Sequence, residues 1–141
     1  MKQENFYINL LKEEHFGKQL LNLARKYKDK KIVLYGTGIF FNVICQNYDL
    51  SKLNIIAISD KKYLKLETPE FDAELGYNTI SPLFINSLKP DIVLLSVADE
   101  FFIEKYFHCE LFKDKNRRFK YKMLFQKSLS RKIQEEFMKR I

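Results

Sequence analysis

The sequence predicts an α/β domain of three layers, with a mostly parallel sheet between helices. Three observations carry this. Short apolar, β-branched runs at residues 32–35, 53–59 and 92–97 each have the length of one buried strand. Segments with helical apolar spacing separate them. The first run passes directly into Gly36-Thr37-Gly38, and Ile39, Val43 and Ile44 then open a helix. Strand, glycine turn and helix form the opening of a βαβ unit.

Taken in order, residues 4–28 read as helical, in two pieces broken near Gly17. Leu20, Leu21, Ala24 and Tyr27 form a stripe in the second piece, and Leu10 and Leu11 a weaker one in the first. This arm precedes the glycine turn, so it is expected to cover a sheet face or to make an oligomer contact. Asp29-Lys30-Lys31 turns the chain into the first strand. The helix after the glycines runs to about Tyr48, and the strand at 53–59 ends at Asp60. Residues 61–76, with Pro69, Asp72 and Gly76, read as a long loop.

A short strand at 77–80 precedes Ser81-Pro82, a capping residue followed by proline at the first helical position. Leu83, Phe84 and Leu88 form the apolar side of that helix, and Lys89-Pro90-Asp91 ends it. The run at 92–97 is the clearest strand of the chain. Asp99-Glu100 then leads into a helix at 101–107, with early carboxylates that suit its dipole. Residues 119–125 alternate less cleanly and read as a further strand. A last helix starts at Ser128 or Ser130, with Leu129, Ile133, Phe137 and Ile141 at i+4 spacing. Sheet faces need helical cover, so this stripe is expected to be buried against protein, in cis or across a dimer.

At 141 residues and 46% hydrophobic content, the chain can bury one core, and no composition shift divides it. A single domain 1–141 is expected, comprising a helical arm at 1–30, a core at 31–107 and a basic extension at 108–141. No apolar run reaches the ~18 residues of a membrane span, and the first residues lack the apolar stretch of a secretory signal. Two cysteines are too few for a disulfide framework, so a cytoplasmic protein is expected. The net charge of +7 is concentrated at the end: residues 113–141 hold 11 Lys/Arg against 3 Asp/Glu. An anionic partner or a solvated face would both account for it. Glu135 and Glu136 argue against an anionic membrane as the target of the last helix. The phenylalanines and tyrosines lack the basic-aromatic spacing of an RNA-binding sheet, so nucleic acid is not favoured.

The chemistry centres on the glycine turn. Glycines let the backbone approach a phosphate, and free N–H groups at a helix start favour an anion. Gly36, Thr37, Gly38 and Ile39 are therefore candidate ligand contacts. Asp60 lies 22 residues beyond Gly38, near the ~20 expected of the acidic residue that binds a ribose hydroxyl. An aspartate at a strand end also serves as a turn residue. Lys61 and Lys62 could neutralise a phosphate or be solvated. Ser96, Asp99 and Glu100 fall where the strand at 92–97 ends, the edge at which such folds bind ligands. The fingerprint G-x-G-x-x-G/A has a departure, because its third small position holds Phe41. A ring there crowds either the helix–strand contact or the diphosphate path.

The order KIVLYGTGI at 31–39, IIAISDKK at 55–62, YNTISP at 77–82 and KPDIVLLSV at 89–97 resembles the small Rossmann-like domains found with bacterial sugar-nucleotide and surface-glycan enzymes. The resemblance covers residues 31–107. It implies a three-layer Rossmann-like fold and a nucleotide-type ligand, NAD(P) or a nucleotide-sugar, in surface-polysaccharide metabolism. A homo-dimer and a partner catalytic domain are compatible with it. The competing reading is a non-catalytic interaction or regulatory module that keeps the fold without the ligand.

Other constellations fall away. The Tyr-x-x-x-Lys pairs Tyr27/Lys31 and Tyr48/Lys52 lie before the glycine turn and in the turn after its helix, remote from a substrate end. His108 and Cys109 are adjacent and point about 100° apart on a helix, poor geometry for a shared metal. Cys45 falls on an apolar helix face and reads as core.

Overall fold

A computed structural model describes residues 2–99 and 117–140. Its strands are β1 (Ile32–Tyr35), β2 (Ile55–Ser59), β3 (Glu70–Asp72), β4 (Tyr77–Ile80), β5 (Ile92–Leu95) and β6 (Tyr121–Met123). They form one sheet in the order β3-β4-β2-β1-β5-β6. All neighbours are parallel except β3, which pairs antiparallel with β4 at one edge. The described helices are α1 (Lys2–Glu13), α2 (Phe16–Lys26), α3 (Ile39–Asn47), α4 (Ile85–Leu88) and α5 (Leu129–Lys139). Short 3-10 turns occupy Lys61–Tyr63 and Pro82–Phe84.

Side chains alternate across the sheet, which explains why the central strands are apolar throughout. Ile32, Leu34, Ile58, Ile92 and Leu94 join one core with Leu10 and Leu11 of α1, Phe16, Leu20 and Leu23 of α2, and Phe41 and Ile44 of α3. Val33, Tyr35, Ala57, Val93 and Leu95 face the other side with Ile85 of α4, Phe119 and Met123. The N-terminal arm thus covers a sheet face. It completes a layer that α3 alone would leave half open.

Several boundaries move. The arm breaks at His15, which takes a left-handed conformation (φ 54°), and Gly17 lies inside α2. Packing sets the break: it drives Phe16 fully into the core, edge-on to the rings of Tyr48 and Phe125. The segment 61–76 is more than a loop. Thr79 Oγ1 donates to Glu70 O at 2.7 Å, and Asp72 Oδ1 accepts from Leu75 N–H at 2.9 Å, closing the β3–β4 hairpin. Ser81 caps a 3-10 turn before the single turn of α4, its Oγ accepting from Leu83 N–H at 3.3 Å. The 119–125 strand narrows to β6, yet it joins the main sheet beside β5, so the sheet extends beyond residue 107 into the basic extension. The helix expected at 101–107, Glu100, His108 and Cys109 lie outside the described residues.

The last helix departs most from expectation. Its stripe is not buried in cis: Leu129, Ile133 and Phe137 are 74%, 60% and 64% exposed. Ion pairs determine which side faces inward. Arg131 bonds Glu14 Oε1 through Nε at 2.5 Å and also pairs with Glu13, both at the α1–α2 corner. Ser128 caps α5 and donates its own N–H to Glu14 at 3.0 Å. Just before the helix, Gln19 clasps the backbone of Gln126 in both directions, at 2.9 and 2.8 Å.

Candidate functional site: the glycine turn

The carboxyl ends of β1, β2 and β5 meet at the glycine turn. Gly36 N–H donates to Ser59 O at 2.9 Å, and Ser96 N–H donates to Tyr35 O at 2.8 Å. The turn is thereby stitched to both neighbouring strands. Gly36 has φ 110°, and a Cβ there would stand 3.1 Å from both Ser96 O and Val97 Cγ1. Only glycine suits such a position. Ser96 is buried, and its hydroxyl donates to the carbonyls of Tyr35 and Gly36. It holds the turn from beneath.

Thr37 is buried although polar, and Asp60 is the reason. Asp60 Oδ2 accepts from Thr37 N–H at 2.6 Å and from Thr37 Oγ1 at 3.1 Å. Its Oδ1 accepts from Lys62 N–H at 3.1 Å, capping the 3-10 turn Lys61–Tyr63. Sequence spacing and structure agree that Asp60 sits beside the glycine turn. The structure adds that its carboxylate already braces that turn, so a ribose hydroxyl would share it with Thr37 and Lys62. Lys62 Nζ reaches Thr37 O at 3.4 Å and lies 5.3 Å from the ring centroid of Tyr63. Lys62 therefore brings a cation to the turn.

Gly38 is the N-cap of α3, with φ −81°, ψ −159° and no side-chain cap bond. Any residue can adopt that backbone, and among the described residues a Cβ there would meet nothing within 4 Å. Helix geometry leaves the first-turn N–H groups without intrahelical acceptors. Ile39 follows at 46% exposure, on the open side. The ring of Phe41 turns the other way, fully buried against the sheet. Of the two ways it could crowd the motif, it takes the helix–strand contact and leaves the space above Gly38 open.

A groove of about 560 Å³ lies between α1 and α5, lined by Tyr7, Ala98, Asp99, Arg131 and Met138 among others. Ala98 and Asp99 follow β5, and Tyr7 packs edge-on against Phe40 at the start of α3, so the groove adjoins the same sheet edge. No local pattern signals it, because Glu14 and Arg131 are far apart in the chain and nothing near either residue pairs them. Cys45 is half-buried against the core, as read, and burial pushes its thiol up to about 11.

No family model matches the chain, and neither does any curated protein or solved structure. Among the described residues, no helix is long and apolar enough to cross a membrane.

Proposed function

We propose that the chain binds a phosphate-bearing nucleotide over the Gly36-Thr37-Gly38 turn: a nucleotide, a nucleotide-sugar or a dinucleotide such as NAD(P). With the hairpin strand β3 set aside, the order β4-β2-β1-β5-β6 follows the 3-2-1-4-5 half of a Rossmann-like sheet. In that arrangement ligands bind outside the carboxyl ends of the strands, where the order reverses between β1 and β5. The observation that carries the reading is Gly38. Neither its backbone angles nor its neighbours among the described residues require glycine, yet those residues leave open space beside the N–H groups that start α3. A phosphate approaching the backbone needs that space. Lys62 supplies a nearby cation.

The resemblance to domains of surface-glycan enzymes directs the choice of probes toward nucleotide-sugars. A sheet and a glycine turn supply little chemistry alone, so catalysis in that setting calls for a partner domain. One observation favours the second reading, a module that keeps the fold without a ligand: the Asp60 carboxylate is already engaged by Thr37 and Lys62.

Thermal melting with NAD, NADP, UDP-sugars, CMP, CoA and S-adenosylmethionine separates the two. A ligand at about 100 times its Kd stabilises by about 2.7 kcal/mol. With an unfolding entropy of about 0.3 kcal/mol/K for a chain of this length, Tm rises by about 9 °C. Gly38→Val is expected to abolish the shift while lowering the unliganded Tm by no more than about 3 °C, because its Cβ enters empty space. No shift with any probe supports the module reading. An undiminished shift in Gly38→Val moves the ligand away from this turn.

A further inference from the structure

The geometry points to the pocket between α2 and β6 as a binding site for a small organic phosphate monoester, its dianion held by Lys26 and Lys122. The cavity measures about 190 Å³. Leu23 and Leu124, both buried in the core beneath the arm, form its apolar side. Strand register explains how a lysine comes to face that core. Lys122 pairs with Leu94, and parallel partners share a face, so Lys122 projects to the arm's side of the sheet. Tyr121 and Met123 go with the opposite core. Lys26, in the last turn of α2, lines the same pocket.

Two like charges in one pocket are the feature that asks for a ligand. Burial first, and then the neighbouring Lys26, hold the Lys122 ammonium below the ordinary lysine range. Among the described residues no carboxylate lines the pocket, and neither lysine takes part in a salt bridge. Lys26 Nζ lies 5.5 Å from the ring centroid of Tyr27, a contact that supplies no counter-charge. Nearby cations are matched differently: Arg131 has Glu13 and Glu14, and Lys127 has Glu135. An anion between Lys26 and Lys122 would complete this pair in the same way.

The pocket is organised in advance. Gln19 clasps the backbone of Gln126, which fixes α2 to the segment after β6. Asn22 and Gln126 also line the cavity and carry amides that can donate to phosphate oxygens. An apolar cavity of about 150 Å³ holds benzene, so the body of the ligand is no larger than one small ring. A phosphate monoester carries close to two negative charges at neutral pH and matches the two ammoniums, whereas a carboxylate supplies one. The pocket shares no residue with the glycine turn, and this inference is independent of the nucleotide reading.

Titration of the whole 17.0 kDa chain with phenyl phosphate in physiological salt, followed by amide NMR, tests it. Saturating shifts are expected at Leu23, Lys26, Lys122 and Leu124. Lys26→Gln and Lys122→Gln should each raise Kd about ten-fold or more, the loss of one charge-assisted bond. Arg25→Gln should change it by less than about two-fold, because Arg25 lines a different groove, toward β2. Inorganic phosphate, without the ring, and benzoate, with a single charge, should both bind several-fold more weakly. Without ligand, each lysine variant should melt no lower than the parent, since it removes a like-charge contact. The absence of saturating shifts at the pocket overturns the proposal, as do shifts confined to Gly36, Thr37, Gly38 and Ile39, or equal weakening by Arg25→Gln. Benzoate or inorganic phosphate binding as tightly as phenyl phosphate overturns the ligand class. A fall in the unliganded Tm of both lysine variants would assign the pair to the fold and overturn the site as well.

Discussion

Gly36 and Gly38 look alike in the sequence and differ in what the fold asks of them, and this yields a sharp prediction. Gly36→Ala forces an L-residue to φ 110° and drives its Cβ to 3.1 Å from Ser96 O and Val97 Cγ1. The conformational part alone costs about 1–2 kcal/mol. The valine methyl can rotate away, but Ser96 O is backbone, and the same residue holds the turn through its N–H and hydroxyl. Displacing it adds about 1–2 kcal/mol more. The total of about 2–4 kcal/mol corresponds to a fall in Tm of about 7–13 °C at an unfolding entropy of about 0.3 kcal/mol/K. Gly38→Ala needs no displacement and loses only the difference between two N-caps, within about 1 kcal/mol. Calorimetry on the two variants without ligand is the assay. Equal losses, or a silent Gly36→Ala, would refute the assignment of Gly36 to structure and Gly38 to ligand.

Two further outcomes follow from titratable groups. Cys45, its thiol pushed up to about 11 by burial, should resist iodoacetamide at pH 8 in the folded state and react once the chain is unfolded in urea. Fast labelling of Cys45 itself in the native protein, located by peptide mapping to separate it from Cys109, would show that α3 packs less closely than described. Burial pulls the Glu14 carboxyl upward, but hydrogen bonds from Arg131 and Ser128 outweigh it, so its pKa lies below the ordinary 4.5. Its contribution is therefore fully present above that value and is lost as pH falls through the lowered folded pKa. Hydrogen exchange of α5 amides, corrected for intrinsic rates, should accelerate at pH 3 relative to pH 6. Glu14→Gln should reduce that difference, and an equal pH effect in both proteins would exclude Glu14 as the anchor.

What the sequence disclosed and what it hid separate along a physical line. Runs such as Ile32–Tyr35 and Ile92–Leu95 are legible because a strand covered on both faces must be apolar at every position. The turn after β1 is legible because glycine is rare enough to signal a backbone requirement. Contacts between residues remote in sequence leave no such trace. The break at His15 follows from the burial of Phe16, and Glu70–Asp72 is a strand because Tyr77–Ile80 lies beside it. The stripe on α5 was legible as a stripe, but its direction was decided by Glu13 and Glu14. At the candidate site, Asp60 could be placed by spacing alone. Its grip on Thr37, and the use of Ser96 as a latch beneath Gly36, depend on angles that no spacing encodes.

The clasp between Gln19 and Gln126, together with the bonds from Ser128 and Arg131 to Glu14, ties α1 and α2 to residues more than 100 positions later in the chain. β6 enters the sheet just as late, receiving a hydrogen bond from Val93 N–H at Lys120 O and donating one from Leu124 N–H to Leu95 O. On a ribosome, the arm therefore emerges long before the groups that fasten it. During that interval Leu10, Leu11, Phe16, Leu20 and Leu23 must rest on an unfinished sheet or remain open to other apolar surfaces. Closure over such long sequence separations slows folding and prolongs exposure to aggregation. Closure of the arm is thus expected to wait until residues 117–131 are available to it.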